Sequence, residues 1–215
     1  MRIVILLTTL TGFVLTEDPS CTPSKIWLDV VIVIDTSVGM SNAGVTQVLA
    51  DISSVFGETI IAQGEGEHSR VAVVTYDSKA EVRHSLTDFK STEEMMEAIW
   101  DIPCSSETVS NLKAGLMKAQ EAIKHGRAGG QRSNVRSAII IYASDFRAGD
   151  VNDADQLANE IKINGTDIVA VAFDQGGKLH ALDGLEKIAS PGLFFKSTVD
   201  HLSGEIQAAL CNMLL

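Results

Sequence analysis

Positive charge is scarce in this chain. Lys and Arg number 17 against 28 Asp and Glu, for a formal net charge of −11. Nucleic acid requires a basic face that neutralises phosphate, so this balance excludes it as a partner class. It does not repel a metal ion or a basic protein. Familiar catalytic motifs are missing too. There is no G-x-G-x-x-G, no Walker loop, no G-x-S-x-G and no H-E-x-x-H, so their nucleotide, hydrolase and zinc-protease chemistries have no anchor. His68, His84, His125, His180 and His201 are scattered without ligand spacing, which suits surface or core histidines better than a metal centre.

Long apolar runs are also lacking beyond the N-terminus, so no later segment is expected to span a membrane. Residues 1–18 read as a secretion signal. Arg2 is the sole charge ahead of an apolar stretch over 3–15, too short to cross a bilayer comfortably. A retained anchor is the competing reading. Cleavage would expose a secreted, extracellular chain. There are no repeats, low-complexity tracts or linkers, so 22–215 is expected to form one domain.

Only three cysteines are present: Cys21, Cys104 and Cys211. In an oxidising compartment an odd count leaves one thiol over, or one bond between chains. The termini of a compact domain often meet, so Cys21–Cys211 is the expected bond, with Cys104 unpaired or cross-linked to another chain. Asn164-Gly165-Thr166 is an N-glycosylation sequon, making Asn164 the expected acceptor.

What the chain does have is a pair of apolar, β-branched runs that end in acid. Val30-Val31-Ile32-Val33-Ile34 leads into Asp35-Thr36-Ser37-Val38-Gly39, and Ala138-Ile139-Ile140-Ile141-Tyr142-Ala143 leads into Ser144-Asp145. Such runs read as parallel strands buried on both faces. Strands are expected at 27–35, 70–76, 81–86, 137–143, 167–173 and 192–196. Helices are expected over 91–100, 153–163, 179–189 and 199–213, with two more placed by helical spacing. One carries Val45, Val48, Leu49, Ile52, Val55, Phe56 and Ile60, capped by Ser41 or Asn42. The other carries Leu112, Leu116, Ala119 and Ile123. The alternation predicts an α/β fold: a doubly wound, mostly parallel six-stranded sheet with helices on both faces. The connection Asp77–Ala80 is too short for a crossover, so one edge strand should be antiparallel. Asp77 itself reads as a turn residue. In the order 3-2-1-4-5-6 the chain reverses between strands one and four, and ligands bind outside the carboxyl ends there. Asp35 and Asp145 would meet at that point. Gly-rich 126–134, flanked by Arg127, Arg132 and Arg136, reads as a solvated loop rather than an anion site.

At these residues the chain resembles the von Willebrand factor type A domain, also called the integrin I-type domain. The resemblance covers nearly all of 22–215. It rests on Asp35-Thr36-Ser37-Val38-Gly39, on Thr108-Val109-Ser110-Asn111-Leu112-Lys113-Ala114-Gly115-Leu116, and on Ser144-Asp145. It implies a metal-ion-dependent adhesion site for Mg²⁺ or Mn²⁺, built from Asp-x-Ser-x-Ser, a Thr and an Asp. An acidic group of a protein partner often fills the open coordination position. Asp35, Ser37 and Asp145 match that pattern. Ser110 keeps the hydroxyl where the family has Thr. Gly39 lacks the second Ser, and Phe146-Arg147 replaces a usual Gly beyond Asp145. Mg²⁺ normally retains several waters, so a water can take the missing position and the site is expected to be weakened. In the family the closing helix shifts when metal coordination changes.

The function expected from the resemblance is non-enzymatic adhesion or protein binding through the top of the sheet. The alternative is a metal-free structural or interaction module that has lost its site, as Gly39 suggests. A phosphoryl-transfer hydrolase using Asp35 as nucleophile fits poorly, because Ser37 stands where Asp-x-Asp would be needed.

Overall fold

The computed structural model describes residues 21–144, 148–174, 182 and 184–214, with backbone alone over 148–153. The proposed leader, Asp145 and Phe146-Arg147 lie outside the described residues. Twelve elements follow in chain order: β1 (Asp29–Asp35), α1 (Ser41–Phe56), β2 (Arg70–Tyr76), β3 (Ala80–His84), α2 (Thr92–Ile99), α3 (Leu112–Gly126), β4 (Ser137–Ala143), α4 (Ala148–Ile163), β5 (Thr166–Ala172), α5 (Leu185–Ile188), β6 (Phe194–Lys196) and α6 (Leu202–Asn212). They build a six-stranded sheet in the order β3-β2-β1-β4-β5-β6. All neighbours are parallel except β2 and β3, which form the antiparallel edge.

Every residue of β1 and β4 is buried. Side chains alternate across a strand, and the two faces fill separate cores. Val30, Ile32 and Ile34 pack with Val45, Leu49 and Ile52 of α1, Met95 of α2 and Ile206 of α6. Val31 and Val33 pack with Leu112 and Leu116 of α3, Ala158 of α4 and Leu185 of α5. Truncating any one of the leucines, isoleucines or Met95 among these to Ala should cost about 2–5 kcal/mol. Gly115 allows α3 to approach closely: a Cβ there would lie 3.0 Å from Val33 Cγ1 and 3.1 Å from the Tyr76 ring.

Some boundaries differ from the sequence reading. Helix α1 ends at Phe56, so Ile60 lies beyond it and is exposed. Its start is closed by Ser41, whose hydroxyl accepts from the Gly44 amide at 3.2 Å. Strand β3 stops at His84, leaving Leu86 to turn inward and become fully buried. Helix α4 starts at Ala148 rather than 153. Of the helix expected over 179–189, the described part is the single turn Leu185–Ile188. The closing helix begins at Leu202, not 199, after His201 in the left-handed region at φ 60°. Cys21 and Cys211 are joined by a disulfide. It ties the segment before β1 to the last turn of α6.

Candidate functional site at the carboxyl ends of the strands

The carboxyl ends of β1 and β4 lie side by side because the two strands pair in parallel register, Ile34 beside Tyr142. Asp35, the last residue of β1, is fully buried. Its Oδ1 accepts from the Ser37 amide at 2.9 Å, which closes the backbone into a tight turn. Its Oδ2 accepts from the Ser110 hydroxyl at 3.1 Å, the Ser144 hydroxyl at 2.8 Å and the Ser144 amide at 3.3 Å. Three loops therefore converge on one carboxylate, and Ser37 and Ser110 are among the residues that reach it.

The loops are held in place by backbone bonds. The Thr36 amide donates to the Tyr76 carbonyl at 2.8 Å, and the Ser105 amide to the Thr36 carbonyl at 2.6 Å. Val38 N–H donates to the Glu107 carbonyl at 2.8 Å, and Asn111 N–H to the Asp77 carbonyl at 2.7 Å. Asn111 then caps α3, its side chain accepting from the Ala114 amide at 3.0 Å. This cap starts the helix one residue after Ser110 and so fixes that hydroxyl over the end of β1. Asp77 sits in the β2–β3 turn, accepting from the Lys79 amide at 2.9 Å.

Every donor to Asp35 among the described residues is neutral. A buried carboxylate without a countercharge carries a large desolvation cost unless a cation compensates it. The donor set around it, carboxylate and hydroxyl oxygens, fits a hard divalent ion. The hydroxyls that now donate to Asp35 have lone pairs to offer a cation after rotation. Asp35, Ser37, Ser110 and Asp145 would hold it, with Asp145 the residue that follows Ser144.

Two neighbours carry information the sequence reading did not assign. Ser144 is as close to Asp35 as any other group, and its signal was a lone hydroxyl ending an all-apolar strand. Cys104 has its Sγ 3.5 Å from the Thr36 carbonyl and 3.8 Å from that of Ser37. Burial, and then the charge of Asp35, push its thiol up from the ordinary value. It stays protonated, donates to these carbonyls, and is not a soft ligand in the site.

The opposite end of β1 qualifies the reading of the Gly-rich loop. Asp29 is fully buried, and parallel register places it beside Arg70. Arg70 donates to it from Nε at 2.9 Å and Nη2 at 2.8 Å; Arg127 and Arg132 each add an Nε bond at 3.0 Å. Arg127 and Arg132 thus have a structural role, while most of the loop that carries them, 128–134, is exposed. They turn inward because the buried Asp29 demands positive charge. Burial lowers the His68 pKa, and Arg132 and Arg70 lower it further, so this histidine is neutral. Arg136 alone remains largely exposed, paired to Asp167 at 2.8 Å.

Comparison with known proteins agrees with this architecture. The family model described as von Willebrand factor type A domain matches residues 29–208. C-type lectin domain-containing protein 160 of Caenorhabditis elegans is 31% identical over 92% of this chain and 31% of its own length. Matrilin-3 of Mus musculus is 26% identical over 86% of this chain and 38% of its own. The chain thus spans about a third of each relative. Among solved structures, proximal thread matrix protein 1 from the mussel byssus, with a zinc-occupied metal-ion-dependent adhesion site, superposes with a TM-score of 0.66 at 19% identity. That match covers 89% of this chain and 47% of the other.

Proposed function

The chain belongs to the von Willebrand factor type A domain family, and from that premise we propose that it is a secreted, non-enzymatic binding domain. It engages a protein ligand through the carboxyl-end face of its sheet. A Mg²⁺ or Mn²⁺ ion held by Asp35, Ser37, Ser110 and Asp145 supplies an open position for an acidic group of the partner. The observation that carries this reading is Asp35: fully buried, at the chain-reversal point, with neutral donors alone around it among the described residues. The relatives named for a lectin-containing protein, a matrilin and a byssal thread matrix protein support a binding rather than catalytic role. Residues 1–18 serve as the leader, and 22–215 form the domain. Asn164, exposed in the turn between α4 and β5, is open to a glycan.

Gly39 favours a second reading, a metal-free interaction module. It offers no oxygen where the family pattern has Ser. One experiment separates the two. Millimolar Mn²⁺ should raise the melting temperature, because a ligand that binds only the folded state stabilises it by mass action. Asp145→Ala should abolish the gain, and Gly39→Ser should enlarge it. A parent protein whose melting temperature ignores Mn²⁺ and Mg²⁺ establishes the metal-free reading.

A further inference from the structure

The amino-terminal ends of the strands carry a feature the proposed function does not use. Ser137 and Thr166, the first residues of β4 and β5, form the floor of an open cavity of about 420 Å³. That volume falls in the range of small-ligand sites. Lys124, Arg127 and Arg136 line it, and no carboxylate does. Gln120, Asn134 and Asn164 add amides at its wall.

The charge balance here opposes that of the whole chain. The cavity lining holds three cations, Lys124, Arg127 and Arg136; Arg127 is paired with Asp29 and Arg136 with Asp167, which leaves Lys124 as the uncompensated charge among the described residues. Two guanidinium groups are held in place before any ligand arrives. Arg127 is fixed by Asp29 and by the Val135 carbonyl, and Arg136 by Asp167 and the Met213 carbonyl. These bonds leave Nη1 of Arg127 and Nε of Arg136 without a protein acceptor. Lys124 is exposed and has no acidic partner among the described residues. Fixed guanidinium groups lose little freedom when they bind oxyanions.

We propose that this cavity binds the sulfate groups of a sulfated polysaccharide. Sulfate supplies a permanent negative charge with several oxygens, which can bridge the unpaired Lys124 and the two guanidinium groups that line the cavity. The Asn and Gln amides suit sugar hydroxyls as both donors and acceptors. The site is at the far end of the sheet from Asp35, so it operates without a metal ion. It also shares its rim with Asn164, so a glycan there would crowd it.

The test uses the disulfide-bonded chain made in a host that adds no N-glycan, in EDTA, with a heparin oligosaccharide as the probe. Titration calorimetry should show binding that weakens as salt rises. Lys124→Ala should weaken it about fivefold to tenfold, the loss of one charge-assisted contact. Lys124 is exposed on α3, so the variant is expected to fold. Lys79→Ala, in the β2–β3 turn at the other end, should leave binding unchanged. Desulfated heparin should fail to bind, and inorganic sulfate at equal sulfate concentration should compete poorly. No binding, indifference to Lys124→Ala, or equal binding of desulfated heparin overturns the proposal. Full competition by inorganic sulfate also overturns it, reassigning the cavity to a free oxyanion. None of these outcomes depends on Mn²⁺, so they are independent of the fate of the Asp35 site.

Discussion

Replacing Asp29 with Ala should be the most damaging single change at a polar position in this domain. The carboxylate is fully buried and receives four charge-assisted bonds, of 2.8–3.0 Å, from three arginines. Arg70 has a side chain 3% exposed. Without Asp29 its charge stays buried with little more than the Gly126 carbonyl, at 3.0 Å from Nη1, to receive it. Breaking a buried pair in this way costs about 3–5 kcal/mol. Arg127 and Arg132 are partly exposed and can rehydrate, so they add little. For a domain of this size about 1 kcal/mol corresponds to roughly 2–4 °C, giving a fall of roughly 6–20 °C in melting temperature. Asp29→Leu combined with Arg70→Met should recover much of the loss, because the stranded charge is gone. The pH dependence follows from the same cluster. Burial pushes the Asp29 carboxyl up, but the bonds and charge of Arg70, with Arg132 and Arg127, outweigh this and hold its pKa below the ordinary value. A depressed folded-state pKa gives stability that is complete above about pH 4 and lost as pH falls through the lower folded value. Urea titrations of parent and Asp29→Asn between neutral pH and about pH 2 should converge at the acid end. A loss below about 1 kcal/mol for Asp29→Ala, or parallel acid limbs, would refute the argument.

Two further outcomes follow from packing and topology. Gly126→Ala should destabilise by about 1–3 kcal/mol, because a Cβ at Gly126 would lie 2.6 Å from Leu86 Cδ1 and 2.9 Å from its Cβ; a double-mutant cycle with Leu86→Ala should show favourable coupling, and additivity would place the strain elsewhere. Cys211→Ser removes a bond spanning 190 residues, with a loss of up to ~5 kcal/mol in the chain-entropy model, and should speed amide exchange along α6 before the sheet. Metal-dependent exchange along α6 in the intact, disulfide-bonded protein would show instead that the tether does not hold this helix in one state.

What was legible in the sequence is what local pattern determines. The runs 30–34 and 138–142 are apolar on every residue, and such strands have no solvent face to choose. Strand order and the antiparallel edge followed from that alternation and from the length of the Asp77–Ala80 connection, whereas Ser37 and Ser110 were picked out only through the resemblance to the family's motif. What remained hidden depended on register. Nothing local in Asp29 or Arg70 indicates that they are 41 residues apart in sequence and hydrogen-bonded in space. The Gly- and Arg-rich loop is mostly exposed, as its composition suggests, but nothing in that composition shows that Arg127 and Arg132 bond the buried Asp29. Their inward turn is a response to a charge that another strand delivers. The end of α1 was misjudged because Ile60 continues the helical spacing by chance after the chain has already left the helix.

The two ends of β1 set the same electrostatic problem and meet it differently. Asp29 and Asp35 are both fully buried on one seven-residue strand. Desolvation penalises both carboxylates, and polar groups converge on Asp35 from three segments and on Asp29 from two, β2 and the α3–β4 connection. At Asp29 the donors are arginines, the charge is neutralised within the chain, and the result is a rigid base. At Asp35 the donors among the described residues are hydroxyls and amides, which satisfy hydrogen-bonding geometry but leave the charge standing. A fold selected for stability alone gains nothing from that difference, because an arginine at the position of Ser110 or Ser144 would serve Asp35 as Arg70 serves Asp29. Small oxygen donors leave room at the charge where a guanidinium group would fill it. That choice of residues, among those described, is the one the proposed cation site requires. It is the reason the Asp35 end, rather than the more heavily charged Asp29 end, is read as the cation-dependent face.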